Sequence, residues 1–102
     1  MIQGNDFKLV VPIERKGESR VMLLDAYLKD ITGKKYRLEA MVKDDTIEAD
    51  VDGDLLPCGK FGLMLSGTKN GNKFRRYIEE ALTITMDGED SEDIYKTKVV
   101  TI

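Results

Sequence analysis

Apolar residues fall on every second position through most of this chain, the spacing of a strand with one buried face. Phe7, Leu9, Val11 and Ile13 alternate with Lys8, Val10 and Pro12. Tyr36, Leu38, Ala40 and Val42 alternate with Arg37, Glu39 and Met41, and Ile47, Ala49 and Val51 alternate with Glu48 and Asp50. The same rhythm runs through Phe61, Leu63 and Leu65, and again through Leu82, Ile84 and Met86. Between these runs stand turn formers: Lys16-Gly17-Glu18, Gly33-Lys34, Asp44-Asp45 and Asn70-Gly71. This is the signature of short antiparallel strands joined by tight turns.

Asn70-Gly71 is the strongest of these signals, since both residues tolerate the positive φ of a type I′ hairpin turn. If they alone form the loop, Leu63 stands opposite Ile78, Met64 opposite Tyr77 and Leu65 opposite Arg76. A longer loop through Gly67 and Asn72 shifts that pairing. In the short-loop register Met64 and Tyr77 face outward together. With Arg75 and Arg76 they form the candidate partner-contact surface, and Lys69, Lys73 and Phe74 lie nearby.

Two segments break the rhythm. Over 19–32, Leu23, Leu24, Tyr27, Leu28 and Ile31 fall at helical spacing, with Ser19 placed to cap the start and Gly33 the end. The same residues also read as a short strand, Val21 to Leu24, followed by a turn. Asp87 to Asp93 holds five acids in seven residues and reads as a solvated loop or linker. Ile94 to Ile102 returns to β-prone residues, as a closing strand or an extension toward a neighbour. Pro12 marks an edge or a strand end, because proline donates no ladder hydrogen bond.

Composition narrows function more than fold. With 102 residues and 41% hydrophobic content, residues 1–102 suit one domain. Sixteen basic against nineteen acidic residues give a net charge of −3, which argues against a dedicated nucleic-acid or anionic-membrane binder. The lone cysteine, Cys58, excludes an internal disulfide and reads as a small, partly buried residue. No apolar run approaches the roughly 20 residues of a spanning helix. The opening residues lack the basic and apolar regions of a signal peptide, so a cytoplasmic location is expected.

Candidate chemistry is sparse. Asp50, Asp52 and Asp54 alternate as in the opening of a calcium loop, but glycine stands fourth instead of sixth and Phe61 takes the place of the closing glutamate. They suit the wet face of a strand better. With no histidine, the Ser/His and Cys/His arrangements are absent, and no phosphate-cradling glycine motif occurs. No catalytic residue, metal ligand or cofactor is expected, and the chain reads as a non-enzyme.

Leu56, Pro57, Gly59 and Phe61 lead into the central strand in a pattern that resembles the tyrosine corner of immunoglobulin-like sandwiches, with Phe61 lacking the hydroxyl. Gln3-Gly4-Asn5-Asp6-Phe7-Lys8-Leu9 and the block Ile47 to Gly67 resemble the immunoglobulin-like N-terminal domain of phage baseplate upper proteins and related prophage-type proteins. The resemblance spans 3–13 and 47–86, and 14–46 departs from it. It implies an immunoglobulin-like antiparallel β-sandwich of about seven strands. It also implies a structural or adaptor module of a phage- or prophage-like assembly, acting through contacts with other subunits or itself. The matching residues are structural, so no site residue carries over. The alternative function is a small β module that binds single-stranded nucleic acid or a glycan, with the arginines on phosphates and Tyr77 or Phe74 stacking.

Overall fold

The computed structural model describes residues 6–14, 20–85 and 94–102. They form an all-β sandwich of two sheets. In chain order the strands are β1 (Phe7–Glu14), β2 (Val21–Lys29), β3 (Lys35–Arg37), β4 (Ala40–Lys43), β5 (Thr46–Val51), β6 (Gly59–Lys69), β7 (Asn72–Ile84), β8 (Ile94–Lys96) and β9 (Val100–Thr101). A single 3-10 turn, Gly53–Leu55, precedes β6. The first sheet runs β4-β5-β1, with β8 and β9 both against the far side of β1. The second runs β3-β2-β6-β7.

Alternation places the core as expected. Phe7, Leu9 and Val11 from the first sheet meet Phe61, Leu63, Leu65, Leu82 and Ile84 from the second, all buried. Leu38, Ile47 and Val51 join them, while Val42 and Ile78 are half-buried at the margin. Tyr36 packs edge-on against Phe61, with ring centroids 5.8 Å apart. Ala26 and Leu28 of β2 also reach the centre, as do Leu56, Ala81, Val100 and Ile102.

The hairpin takes its short-loop register. Leu63 pairs with Ile78, Met64 with Tyr77 and Leu65 with Arg76. Asn70 and Gly71 adopt φ of 50° and 85°, the left-handed pair that a two-residue loop requires. Farther along, Glu79-Glu80 breaks the pairing without ending the strand. It forms a bulge in one long β7, where Glu79, Glu80 and Ala81 stand opposite Gly62 alone and Glu80 turns to φ 49°.

Of the two readings of 19–32 the strand holds: residues 20–29 contain no helix, and β2 runs past Leu24 as one strand, followed by a turn at Ile31-Thr32 instead of at Asp25. Its register slips by one between Leu23 and Asp25, so Leu24 is an extra residue turned outward. Tyr36 to Val42 is not one strand but two, because the chain crosses between sheets at Leu38-Glu39. There the Leu38 amide donates to the Ala26 carbonyl at 2.8 Å while its side chain enters the core. Cys58 is exposed, and Leu56 fills the buried place beside the corner.

The expectation for Pro12 is corrected as well, since the residue lies inside its sheet. β5 runs antiparallel on one side of β1, and β8 and β9 run parallel on the other. Ile13 donates to Asp45 on the β5 side, whereas Val10 and Glu14 accept from Thr97 and Ile102 on the opposite side. By that alternation the missing N–H of Pro12 faces the last strand. There the last strand leaves the ladder, between Lys96 and Val100. One proline therefore accounts for the division of the closing segment into β8 and β9. Residues 94–102 thus pair in parallel with β1 on their own domain, and the described residues hold nine strands instead of about seven. The acidic run 87–93, Met86, the 16–18 turn and Ser19 lie outside the described residues.

Candidate functional site: the outer face of the second sheet

Residues directly opposite on neighbouring strands share a face. Arg37 pairs with Tyr27, Tyr27 with Met64 and Met64 with Tyr77. These four side chains form one row across all four strands of the second sheet, on the side away from the core. The adjacent row is Asp25, Ser66 and Arg75, and beyond it lie Met22, Thr68 and Lys73. Tyr77 is 47% exposed and Met22 58%, while Tyr27 and Met64 are half-buried by their neighbours.

Two local devices shape this face. The first is Gly62. A Cβ built there would meet the Tyr77 hydroxyl and its ring carbon, so the ring lies across the sheet over the glycine. A bare backbone is what lets Tyr77 lie down instead of standing into solvent. The second is the turn between β2 and β3. The Asp30 carboxylate accepts from the Thr32 hydroxyl at 2.6 Å and from the amides of Thr32 and Lys34 at 2.9 Å each. The Tyr36 hydroxyl donates to its other oxygen at 3.3 Å. The Thr32 hydroxyl is the largest influence holding this carboxyl below its ordinary range, and the backbone amides add to it. So anchored, β3 carries Lys35 over the Tyr27 ring at 4.9 Å and Arg37 toward Asp25 at 4.0 Å.

Charge is unevenly spread. Lys29, Lys35, Arg37, Lys60, Lys73 and Arg75 project from this sheet's outer side, against the carboxylates Asp25, Glu79 and Glu80. Among the described residues, its ion pairs are Arg37–Asp25 and Lys60–Glu80, the latter at 3.4 Å. Lys29, Lys35, Lys73 and Arg75 have no carboxylate within ion-pair distance there. The outer face of the first sheet is balanced by contrast: Glu48 lies 3.6 Å from Lys8 and 4.0 Å from Lys43.

Of the four residues expected to contact a partner, Met64, Arg75 and Tyr77 come together here. Arg76 does not. It shares the inner side of β7 with Phe74 and Ile78, and its guanidinium spans to the first sheet. Nε donates to the Thr101 carbonyl at 2.9 Å and Nη1 to the Arg75 carbonyl at 3.0 Å, while the group lies 5.8 Å from the centre of the Phe74 ring. Tyr27, Lys35 and Arg37 were not legible as site residues, because they enter through β2 and β3, where the pattern was ambiguous.

Other polar clusters have structural uses. The Asp52 carboxylate caps the 3-10 turn by accepting from the Asp54 amide, and Asp6 accepts from the Gly53 amide, each at 3.0 Å. Asp50 stands on the wet face of β5, beside a depression lined by Phe7, Lys8 and Ile94. Among the described residues, no group of three or more His, Cys, Asp or Glu is arranged to hold a metal, and no helix is long and apolar enough to cross a membrane. The chain matches no known family model, no curated protein and no solved structure.

Proposed function

We propose that this β-sandwich is a non-enzymatic structural or adaptor module that works by protein contact through the outer face of the second sheet. The observation that carries this reading is the row Tyr27, Met64 and Tyr77: aromatic and methionine side chains at the centre of an exposed sheet, with cations around them. Protein interfaces have that anatomy, an apolar centre rich in tyrosine and methionine inside a polar rim. The resemblance of its opening and central segments to baseplate upper proteins supports a place in a phage- or prophage-like assembly. A cytoplasmic or virion-associated location follows from that reading.

Site-specific photo-crosslinking tests it. A crosslinking phenylalanine analogue at Met64 is expected to capture a discrete protein in cells, and Tyr77→Ala is expected to abolish the capture. The same analogue at Glu48, on the opposite sheet, should capture nothing comparable. Equal capture from both sheets would reject this face as the working surface.

The exposed ring of Tyr77 and the excess of cations over carboxylates among the described residues of this face also suit the second reading, a single-stranded nucleic acid or glycan laid along the sheet. Under that reading the analogue at Met64 should crosslink to nucleic acid or to no macromolecule.

A further inference from the structure

We infer that the partner of this face is a protein with an acidic rim: an apolar centre that seats on Tyr27, Met64 and Tyr77, ringed by aspartate and glutamate carboxylates. The inference deepens the proposed function and rests on it. Its basis is the contrast between one face and the whole molecule. The chain carries a net charge of −3, yet among the described residues this face holds twice as many cations as carboxylates, and Lys29, Lys35, Lys73 and Arg75 have no described carboxylate within ion-pair distance. A solvated face has no need to segregate charge in this way, whereas an interface uses it to steer an oppositely charged partner and to set orientation.

The same arrangement argues against two other occupants. A second copy meeting this face with its own would oppose cation to cation, so a symmetric dimer through it is disfavoured. A single-stranded nucleic acid needs open rings on which successive bases stack. Here the Tyr27 ring already carries Lys35 at 4.9 Å, which leaves Tyr77 as the one open ring of the row. Methionine between the two tyrosines supplies an adaptable apolar contact suited to a protein surface. Affinity then comes from the central row, and discrimination from the cations around it.

Amide chemical shifts of the labelled protein decide the matter with three probes: a short peptide alternating glutamate and leucine, its lysine-for-glutamate counterpart, and oligo(dT). The glutamate peptide is expected to move signals from 25–29, 62–66 and 73–77. Its binding should weaken about tenfold between about 50 and 500 mM salt. The double variant Lys35→Glu/Arg75→Glu should come to prefer the lysine peptide, a gain that misfolding cannot imitate. Unmoved signals, equal response to both peptides, or tighter binding of oligo(dT) would each overturn the inference. Failure here alongside successful crosslinking at Met64 removes only the acidic rim; failure of both removes the proposed function as well.

Discussion

The Arg76 guanidinium donates to the Thr101 carbonyl at 2.9 Å, joining the edge strand of one sheet to the last strand of the other. Its second bond, to the Arg75 carbonyl, covers a backbone acceptor on the open side of β7. A long edge strand presents unpaired backbone groups to other chains, and a charged side chain folded over them is one way to blunt it. Arg76 therefore belongs to the closure of the sandwich.

Arg76→Ala is expected to cost about 1 kcal/mol in urea unfolding, since its hydrogen bonds are solvent-exposed and fall in the ordinary net range of about 0.5–1.5 kcal/mol. Arg75→Ala, on the other side of the same strand, should change stability by less than about 0.5 kcal/mol. Similar losses from both would show that Arg76 makes no special contact.

Leu63 is fully buried where β6 crosses the centre of the second sheet. Leu63→Ala is expected to destabilise the domain by about 2–5 kcal/mol through lost burial and the cavity left behind. Equilibrium denaturation provides the measurement, and a loss under about half a kilocalorie would contradict the packing described.

Gly62 and Tyr77 should behave as a coupled pair. Gly62→Ala drives a methyl group into the outer end of the half-exposed tyrosine ring, which must swing aside, and it is expected to cost about 0.5–1 kcal/mol. In a Tyr77→Ala background most of that cost should vanish, so a double-mutant cycle should show clear non-additivity. Simple additivity would mean that the ring does not rest on the glycine.

Asp30 gives the pH dependence. Its carboxyl is held below the ordinary value of 3.8, chiefly by the Thr32 hydroxyl. A carboxylate depressed in the folded state stabilises above its unfolded pKa, and that contribution is lost as pH falls through the folded value. The turn between β2 and β3 should therefore loosen in acid and remain unchanged near neutrality. Carbon-detected titration should place the Asp30 midpoint low, and Thr32→Ala should raise it. A midpoint indifferent to Thr32→Ala would contradict the hydrogen-bonded turn.

Much of this architecture was readable before any coordinates, and the exceptions share a cause. The β6–β7 hairpin was legible because Asn70-Gly71 permits one tight loop and the flanking alternation fixes the register. β2 was not, because its bulge shifts the inward positions from Val21 and Leu23 to Ala26 and Leu28. That step of three, within a period of two, imitates helical spacing. Gly67 held the missing clue: a Cβ there would strike the Met22 carbonyl, since the bulged strand crowds it. A glycine inside a strand signals such an approach, but its sequence does not say which strand approaches. The split between β3 and β4 was hidden for a different reason, since Tyr36, Leu38, Ala40 and Val42 keep one phase while changing sheets. The candidate face was half visible. Met64, Arg75 and Tyr77 come from one hairpin, whereas Tyr27, Lys35 and Arg37 reach it only through long-range pairing. Arg76 falls on the other side of β7 from Arg75 because sequence neighbours on a strand point to opposite sides.

Ile13 lies beside Val100, so the earliest and latest described strands are partners. On a ribosome, the β6–β7 hairpin can close as soon as it emerges, by purely local contact. β1 must wait with one flank bare until residues 94–102 have been synthesised. The nascent domain therefore passes through an interval in which its first sheet is an unfinished template, and release from that state comes only with the final strand.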